Sequence, residues 1–253
     1  LKTAKQRIVT VKNEKLLQSK TYYVKVVATG KGVKQTAIGK IKMKKKWIGT
    51  GKTVAIDAGH QQYGNSSLEP NGPGSGVMKA KVTSGTRGCV TGLPEYKLNL
   101  QVALKLEKEL KARGYKVVMI RRKHKVDMSN RQRAVIANQS GADILIRIHA
   151  NGSANSAVSG TLTMSPSASN PYVSHLYKNS YKLSQSIVNA MCKQTKANNQ
   201  GVMLTDTMSG INWCTIPVTI VEMGYMTNPA EDRRMASEVY QKKMAVGMAN
   251  GID

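Results

Sequence analysis

The chain has no phenylalanine, and its aromatics are ten Tyr and two Trp, so Tyr, Met and Leu have to fill the interior. Acids are scarce as well: 14 Asp and Glu stand against 39 Lys and Arg, a formal net charge of +25. Such an excess asks for a polyanionic partner, and nucleic acid, an anionic membrane or an anionic wall polymer would each fit. Nucleic acid is disfavoured, because there is no binding motif and few aromatics are interleaved with the basic residues. No apolar run approaches the roughly 20 residues of a membrane span, and the start does not resemble a signal peptide. The chain opens with Leu1 rather than Met, which reads as a mature protein or an excised piece. Cys89, Cys192 and Cys214 are too scattered for a zinc ribbon and too few for a disulfide framework. One pair plus a free thiol is an alternative to the expected set of three reduced or buried thiols.

What is there divides in two by texture. Residues 1–50 carry Glu14 as their only acid, Lys at nearly every third or fourth position, and a closing run of Lys42, Lys44, Lys45 and Lys46. Thr21–Ala28 alternates and is rich in β-formers, Gly30-Lys31-Gly32 reads as a turn, and Thr36–Met43 reads as a second strand. Two or three strands cannot bury a core alone. Residues 47–52 would be the linker.

From Lys52 onward strand and helix patterns alternate regularly. Strands are predicted at Thr53–Asp57, Lys116–Arg121, Asp143–Ile148, Gly160–Met164 and Val218–Val221. Helices are predicted at Glu95–Arg113 with Gly114 as the stop, from a Ser129 cap to about Gln139, from about Val173 to Thr195, and from Pro229 to about Ala249. Gln61–Leu93 reads as one long polar loop, a length that is usually functional. The alternation predicts an α/β fold: a mostly parallel sheet of about six strands with helices on both faces, plus the small N-terminal β segment.

Open α/β sheets bind ligands beyond the carboxyl ends of their strands. His60, His149 and Glu222 each follow such an end, and Glu95 opens a helix reached from the long loop. Two imidazoles and a carboxylate leave an open position on Zn²⁺, and a second carboxylate can move the proton of the attacking water. Each residue also has a plainer reading. A lone histidine after a strand usually caps it, Glu95 suits the first turn of a helix, and Glu69 is a rival ligand in the same loop. Glu222 would merely serve the cap at Asn228. Arg147 shares a strand face with His149 and either touches an anionic substrate group or pairs at the sheet edge. Asn151 either binds substrate or ends the strand. His124 and His175 read as surface residues.

Four stretches together carry a family resemblance: Val54-Ala55-Ile56-Asp57-Ala58-Gly59-His60; Glu95 with Leu98-Asn99-Leu100; Ile148-His149-Ala150-Asn151; and Ile216-Pro217 through Val221-Glu222-Met223-Gly224 to Asn228-Pro229. In this order and spacing they resemble the zinc-dependent N-acetylmuramoyl-L-alanine amidases, bacterial cell-wall hydrolases. The resemblance covers residues 51–253 and implies one zinc ion on His60, Glu95 and His149, with Glu222 as the catalytic carboxylate. It implies a twisted mixed sheet and hydrolysis of the amide joining the muramic acid lactyl group to L-alanine. Implied partners are peptidoglycan and anionic wall polymers, and the implied location is secreted, at the cell wall; a monomer is the default. Residues 1–50 resemble the last strands of a fibronectin type III-like module, on the pattern from Leu17 to Ala28.

Two departures stand out. Gln61-Gln62 and the long insertion replace the family's Gly-Gly and short loop, and Arg147 stands where a Ser is common. Arg87 and Lys81 of the insertion would then form a groove wall or lid, with Arg87, Arg147 and Asn151 as substrate contacts. A metallopeptidase acting on stem peptides, or a non-catalytic wall-binding protein, are the competing readings.

Overall fold

A computed structural model describes residues 21–30, 32–42 and 48–253. The chain divides after Trp47 into two units. In the first, β1 (Thr21–Gly30) and β2 (Val33–Lys42) form an antiparallel hairpin in register from Thr21↔Lys42 to Gly30↔Val33. Leu17 and the Lys44–Lys46 run lie outside the described residues.

The second unit runs β3 (Thr53–Ala58), β4 (Asn65–Pro70), β5 (Met78–Val82), α1 (Glu95–Ala112), β6 (Lys116–Met119), α2 (Asn130–Gln139), β7 (Ile144–Asn151) and β8 (Thr161–Ser165). It continues through a 3-10 turn (Ser174–Leu176), α3 (Tyr177–Thr195), β9 (Asn199–Leu204), α4 (Ser209–Asn212), β10 (Val218–Tyr225), α5 (Pro229–Ala236) and α6 (Glu238–Ile252). Six strands make one mixed sheet in the order β6-β3-β7-β10-β8-β9. β6, β3, β7 and β10 are parallel, β8 runs antiparallel to β10, and β9 is parallel to β8.

Period-2 alternation sends successive side chains of each strand to opposite faces. Val54, Ile56 and Ala58, Ile146, Ile148 and Ala150, and Val221 and Met223 meet one core with α1, α3 and α6. Ala55, Leu145, Val218 and Ile220 meet a second core with α2 and α4. Methionine takes the space left by the missing Phe: Met191, Met223, Met226, Met235, Met244 and Met248 are all buried in the first core. Tyrosine contributes less than expected: among the described residues, Tyr115 and Tyr225 are the buried ones.

Local signals set several boundaries as read. Ser129 accepts from the backbone of Gln132 while the Gln132 side chain accepts from the backbone of Ser129, a complete capping box on α2. Asn228 accepts from the backbone N–H of Ala230 and Glu231, with Pro229 opening α5. Gly114 follows α1 at φ 88°, the left-handed stop that glycine adopts without strain.

Other expectations need correcting. The 61–94 stretch is not a structureless loop, because β4 and β5 pair within it as a hairpin. The 196–217 stretch holds β9 and the short α4, and the last predicted helix breaks at Ser237, whose backbone is extended. His149 and Glu222 lie inside β7 and β10 rather than beyond them, since the two strands stay in register through Glu222↔His149 and pair again at Tyr225↔Asn151. Residues 48–52 form a turn tied to the end of α1, with Gly49 N–H donating to the Arg113 carbonyl at 3.0 Å.

Candidate active site

Three adjacent strands deliver the site to one edge of the sheet. Glu222 and His149 are register partners on β10 and β7, so their Cα atoms lie about 4.8 Å apart by strand spacing. On the other side of β7, β3 ends at Ala58, and Gly59 N–H donates to the Ile148 carbonyl at 2.9 Å. His60 follows in the left-handed region at φ 58°, which costs a non-glycine residue on the order of 1–3 kcal/mol.

Guanidinium groups hold that turn in place. Arg121 donates from Nε to the Ala58 carbonyl at 2.7 Å and from Nη2 to the Gly59 carbonyl at 3.0 Å. Arg133 donates from Nη1 to the Ala58 carbonyl and from Nη2 to the His60 carbonyl, each at 3.1 Å. Asn99 adds a bond to the Gly59 carbonyl at 3.2 Å. Gly59 must be glycine for want of room, because a Cβ there would overlap the His149 ring.

Glu95, at the first position of α1, is the meeting point. Its Oε1 lies 3.2 Å from His60 Nε2 and 3.2 Å from His149 Nδ1, and accepts from Asn99 Nδ2 and from the Ala150 backbone at 3.1 Å. Its Oε2 accepts from the Thr86 backbone at 2.8 Å. Burial works to raise the Glu95 pKa, but the hydrogen bonds and charges of His149 and His60 outweigh it and hold the carboxyl well below the ordinary range. His149 is pushed the other way, down to about 4, chiefly by burial, which keeps its ring neutral.

These features suit a cation. His60 Nδ1 lies 2.8 Å from the Thr83 carbonyl, and donating there leaves Nε2 with its lone pair facing a carboxylate oxygen. Two acceptors facing each other at 3.2 Å are stable only with a proton or a metal between them. His149 Nε2 and Glu222 Oε2 are buried with no hydrogen-bond partner, a cost of about 1–3 kcal/mol each unless something in the cleft satisfies them. Ligand atoms of His60, Glu95 and His149 all lie within 4.8 Å of one another, and they form the one such group among the described residues. Thr83 and Asn99 hydrogen-bond to His60 and Glu95, the kind of outer contact that would orient them toward a metal.

Glu222 faces the same cleft, about 340 Å³, as His60 and His149. Burial, and then the charge on Glu95, push its carboxyl up to about 8. Arg147 forms part of the floor, paired through Nε with Asp57 at 2.9 Å. The other sequence candidates lie elsewhere. Asn151 Oδ1 accepts from the Gly152 backbone, and the exposed Arg87 donates to the Gly92 carbonyl; neither lines this cleft. Lys81 borders a separate groove beside α2. Glu69 is not a ligand here but accepts from the Arg131 backbone at the start of α2. His175 is exposed, whereas His124 is half-buried with its ring edge-on to Tyr96 at 5.4 Å. All three cysteines are free, Cys89 exposed and the other two buried.

Sequence reasoning missed Asp57, Arg121, Arg133 and Lys79. Asp57 did leave a signal: an acid inside an apolar strand has to find a buried cation, and it finds Arg133 at 2.8 Å as well as Arg147. Nothing local marks the arginines, which reach the site from a loop and from α2.

Comparison with known proteins gives concordant matches. Residues 54–253 match the N-acetylmuramoyl-L-alanine amidase family, Amidase_3. YqiI of Bacillus subtilis (strain 168) is 31% identical over 204 residues, 80% of this chain and 84% of that protein. The amidase LytC of the same organism is 24% identical over 203 residues, 79% of this chain but 35% of its own length. The solved structure of the amidase Ami1 from Mycobacterium smegmatis superposes with a TM-score of 0.72 at 22% identity, covering 81% of this chain and 96% of that one, and so shares the fold. The catalytic domain of the amidase CwlV from Bacillus (Paenibacillus) polymyxa var. colistinus gives 0.63 at 27% identity, with 79% and 96% covered.

Proposed function

The chain belongs to the N-acetylmuramoyl-L-alanine amidase family, and on that premise we propose that it cleaves peptidoglycan with one zinc ion held by His60, Glu95 and His149. The bond is the amide between the lactyl group of N-acetylmuramic acid and L-alanine. The observation that carries the reading is the convergence of three ligand atoms within 4.8 Å beside two buried, unpartnered polar atoms, His149 Nε2 and Glu222 Oε2. Zinc in such a site supplies Lewis acidity and lowers the pKa of bound water from about 15.7 to about 7.

The chain's own groups do the rest. Glu95 and the two imidazoles would bring one negative charge and two neutral donors to a bound zinc ion, leaving it net positive. Glu222 accepts a proton from the attacking water and returns it to the departing alanine nitrogen, so the amide C–N bond breaks to a lactyl carboxylate and a free amine. Burial raises the Glu222 carboxyl above the ordinary carboxylate range, which strengthens it as a proton acceptor for the attacking water. Residues 51–253 would be the catalytic domain, acting outside the cell at the wall. The Lys-rich residues 1–50 would hold it to anionic polymers by salt-sensitive attraction.

Digestion of purified peptidoglycan, with products read by mass spectrometry, tests the reading. New alanine amino termini beside intact glycan strands are expected, lost on chelation and restored by Zn²⁺. Cleavage elsewhere in the stem peptide would move the enzyme to the peptidases, and wall binding without any cleavage would make it a binding protein.

A further inference from the structure

Beside the metal group, the floor of the cleft holds more positive charge than its acids neutralise. Asp57 is fully buried and divided between two guanidinium groups, Arg133 Nη1 at 2.8 Å and Arg147 Nε at 2.9 Å. Arg121, also buried, has only backbone carbonyls as hydrogen-bond partners. Burial and then the Arg133 charge push Arg121 down to about 10, as expected where buried cations outnumber their counter-ions.

Arg147 is the member of this cluster that borders the cleft. Its side chain is only 4% exposed, its Nε serves Asp57, and its Nη2 donates to Asn130 Oδ1 at 2.7 Å. Nη1 has no hydrogen-bond partner among the described residues and sits against Gly210, where a Cβ would overlap it. From the opposite wall, Lys79 of β5 enters the same cleft, its Nζ donating to the Thr207 carbonyl at 2.7 Å and keeping two further N–H donors. Among the described residues, Glu222 is the one acid lining this space.

We propose that Arg147 and Lys79 form a carboxylate subsite that reads the peptide residue following the released alanine, making the enzyme selective for a free acid over a primary amide at that position. The proposal rests on the amidase reading of the site. Position supports it: Arg147 lies two residues before His149 on one strand face, and both line the cleft that Lys79 enters from the other side. Charge sharpens the choice, since a carboxylate offers acceptors only, whereas an amide turns an NH₂ towards two cations and brings no charge. Lys79 is brought to the cleft by the β4–β5 hairpin.

The test uses the zinc-loaded protein and two product dipeptides, L-alanyl-γ-D-glutamate with a free α-carboxylate and the same compound as its α-carboxamide. Titration calorimetry should show the acid binding about tenfold tighter or more, as charge-assisted hydrogen bonds are roughly twice as strong as neutral ones. Arg147→Gln should erase that ratio and Arg147→Lys should keep part of it. Lys79→Met, which leaves the Asp57 network untouched, should shrink the ratio several-fold, and it gives the answer even where Arg147→Gln fails to fold. Equal binding of the two dipeptides by the wild type, no binding of either, or an undiminished ratio in Lys79→Met and Arg147→Lys would overturn the subsite. Hydrolysis of the corresponding muramoyl dipeptides separates the two ideas. A binding ratio without hydrolysis sinks the amidase reading and leaves the subsite, whereas hydrolysis with no ratio does the reverse.

Discussion

The two faces of the central sheet have opposite characters at the carboxyl end of the strands. On the face against α1, α3 and α6, β7 presents Ile146, Ile148 and Ala150, and β10 presents Val221 and Met223, apolar to the end. On the face against α2 and α4, Leu145 gives way to Arg147 and His149, Ile220 to Glu222, and Ala55 to Asp57. The same three strands thus contribute stability through one face and, on the proposed reading, chemistry through the last positions of the other. A single residue of register slip would exchange the two sets, so the apolar face also fixes where the chemistry points.

Substitutions on the two faces should therefore separate activity from stability. The largest effect expected is at Glu222. Glu222→Gln should lower kcat by about 10²–10⁴-fold, the usual range for a lost general acid–base. Its thermal midpoint should hold or rise, because a buried carboxyl pushed up to about 8 is replaced by a neutral amide. A mutant with near wild-type kcat would remove Glu222 from the reaction.

Asp57 sits on the chemical face yet should behave as a stability residue. Asp57→Asn leaves two buried guanidinium groups without their counter-ion and should cost about 3–5 kcal/mol in denaturant unfolding. Its pH dependence has a definite sign. Burial would raise the carboxyl pKa, but the Arg133 and Arg147 charges more than offset this and hold it well below the ordinary range. The group therefore contributes fully above its unfolded pKa of about 3.9, and the contribution is lost as pH falls below that towards the folded value. Wild type should lose stability through that acid window, and the mutant should show a shallower acid slope; identical slopes would refute the pairing.

Ile146→Ala, on the apolar face, should cost about 2–5 kcal/mol while the kcat of the folded fraction stays close to wild type. A large fall in kcat with little change in stability would break the division between the faces. The smallest effect is expected at Ser129, the cap of α2, the helix that carries Arg133. Ser129→Ala should cost about 0.5–2 kcal/mol, read as a fall of a few degrees in the melting temperature.

Legibility in the sequence followed the range of the interactions concerned. The capping box at Ser129 and Gln132, the Asn228-Pro229 helix start and the Gly114 stop act within four residues, and each was readable. The polar β4, Asn65–Pro70, has no apolar alternation to announce it, and β9 is an edge strand whose pairing partner β8 lies far back in the chain. The break at Ser237 was hidden because residues on both sides favour helix. Strand ends were read short at His149 and Glu222, since polar residues normally mark a strand's exit. Here parallel neighbours keep them paired.

By itself, the sequence determined the α/β alternation and the two-faced strands, and it singled out His60, Glu95, His149 and Glu222 as candidates, because these depend on local periodicity and on motif order. Only the tertiary structure decided that Glu95 Oε1 stands 3.2 Å from both imidazoles. It alone decided that three arginines brace the His60 turn and the floor beside it, and that Lys79 comes in from a hairpin across the cleft. Those facts join residues tens of positions apart, and such contacts exist only after the sheet has paired and the helices have closed over it.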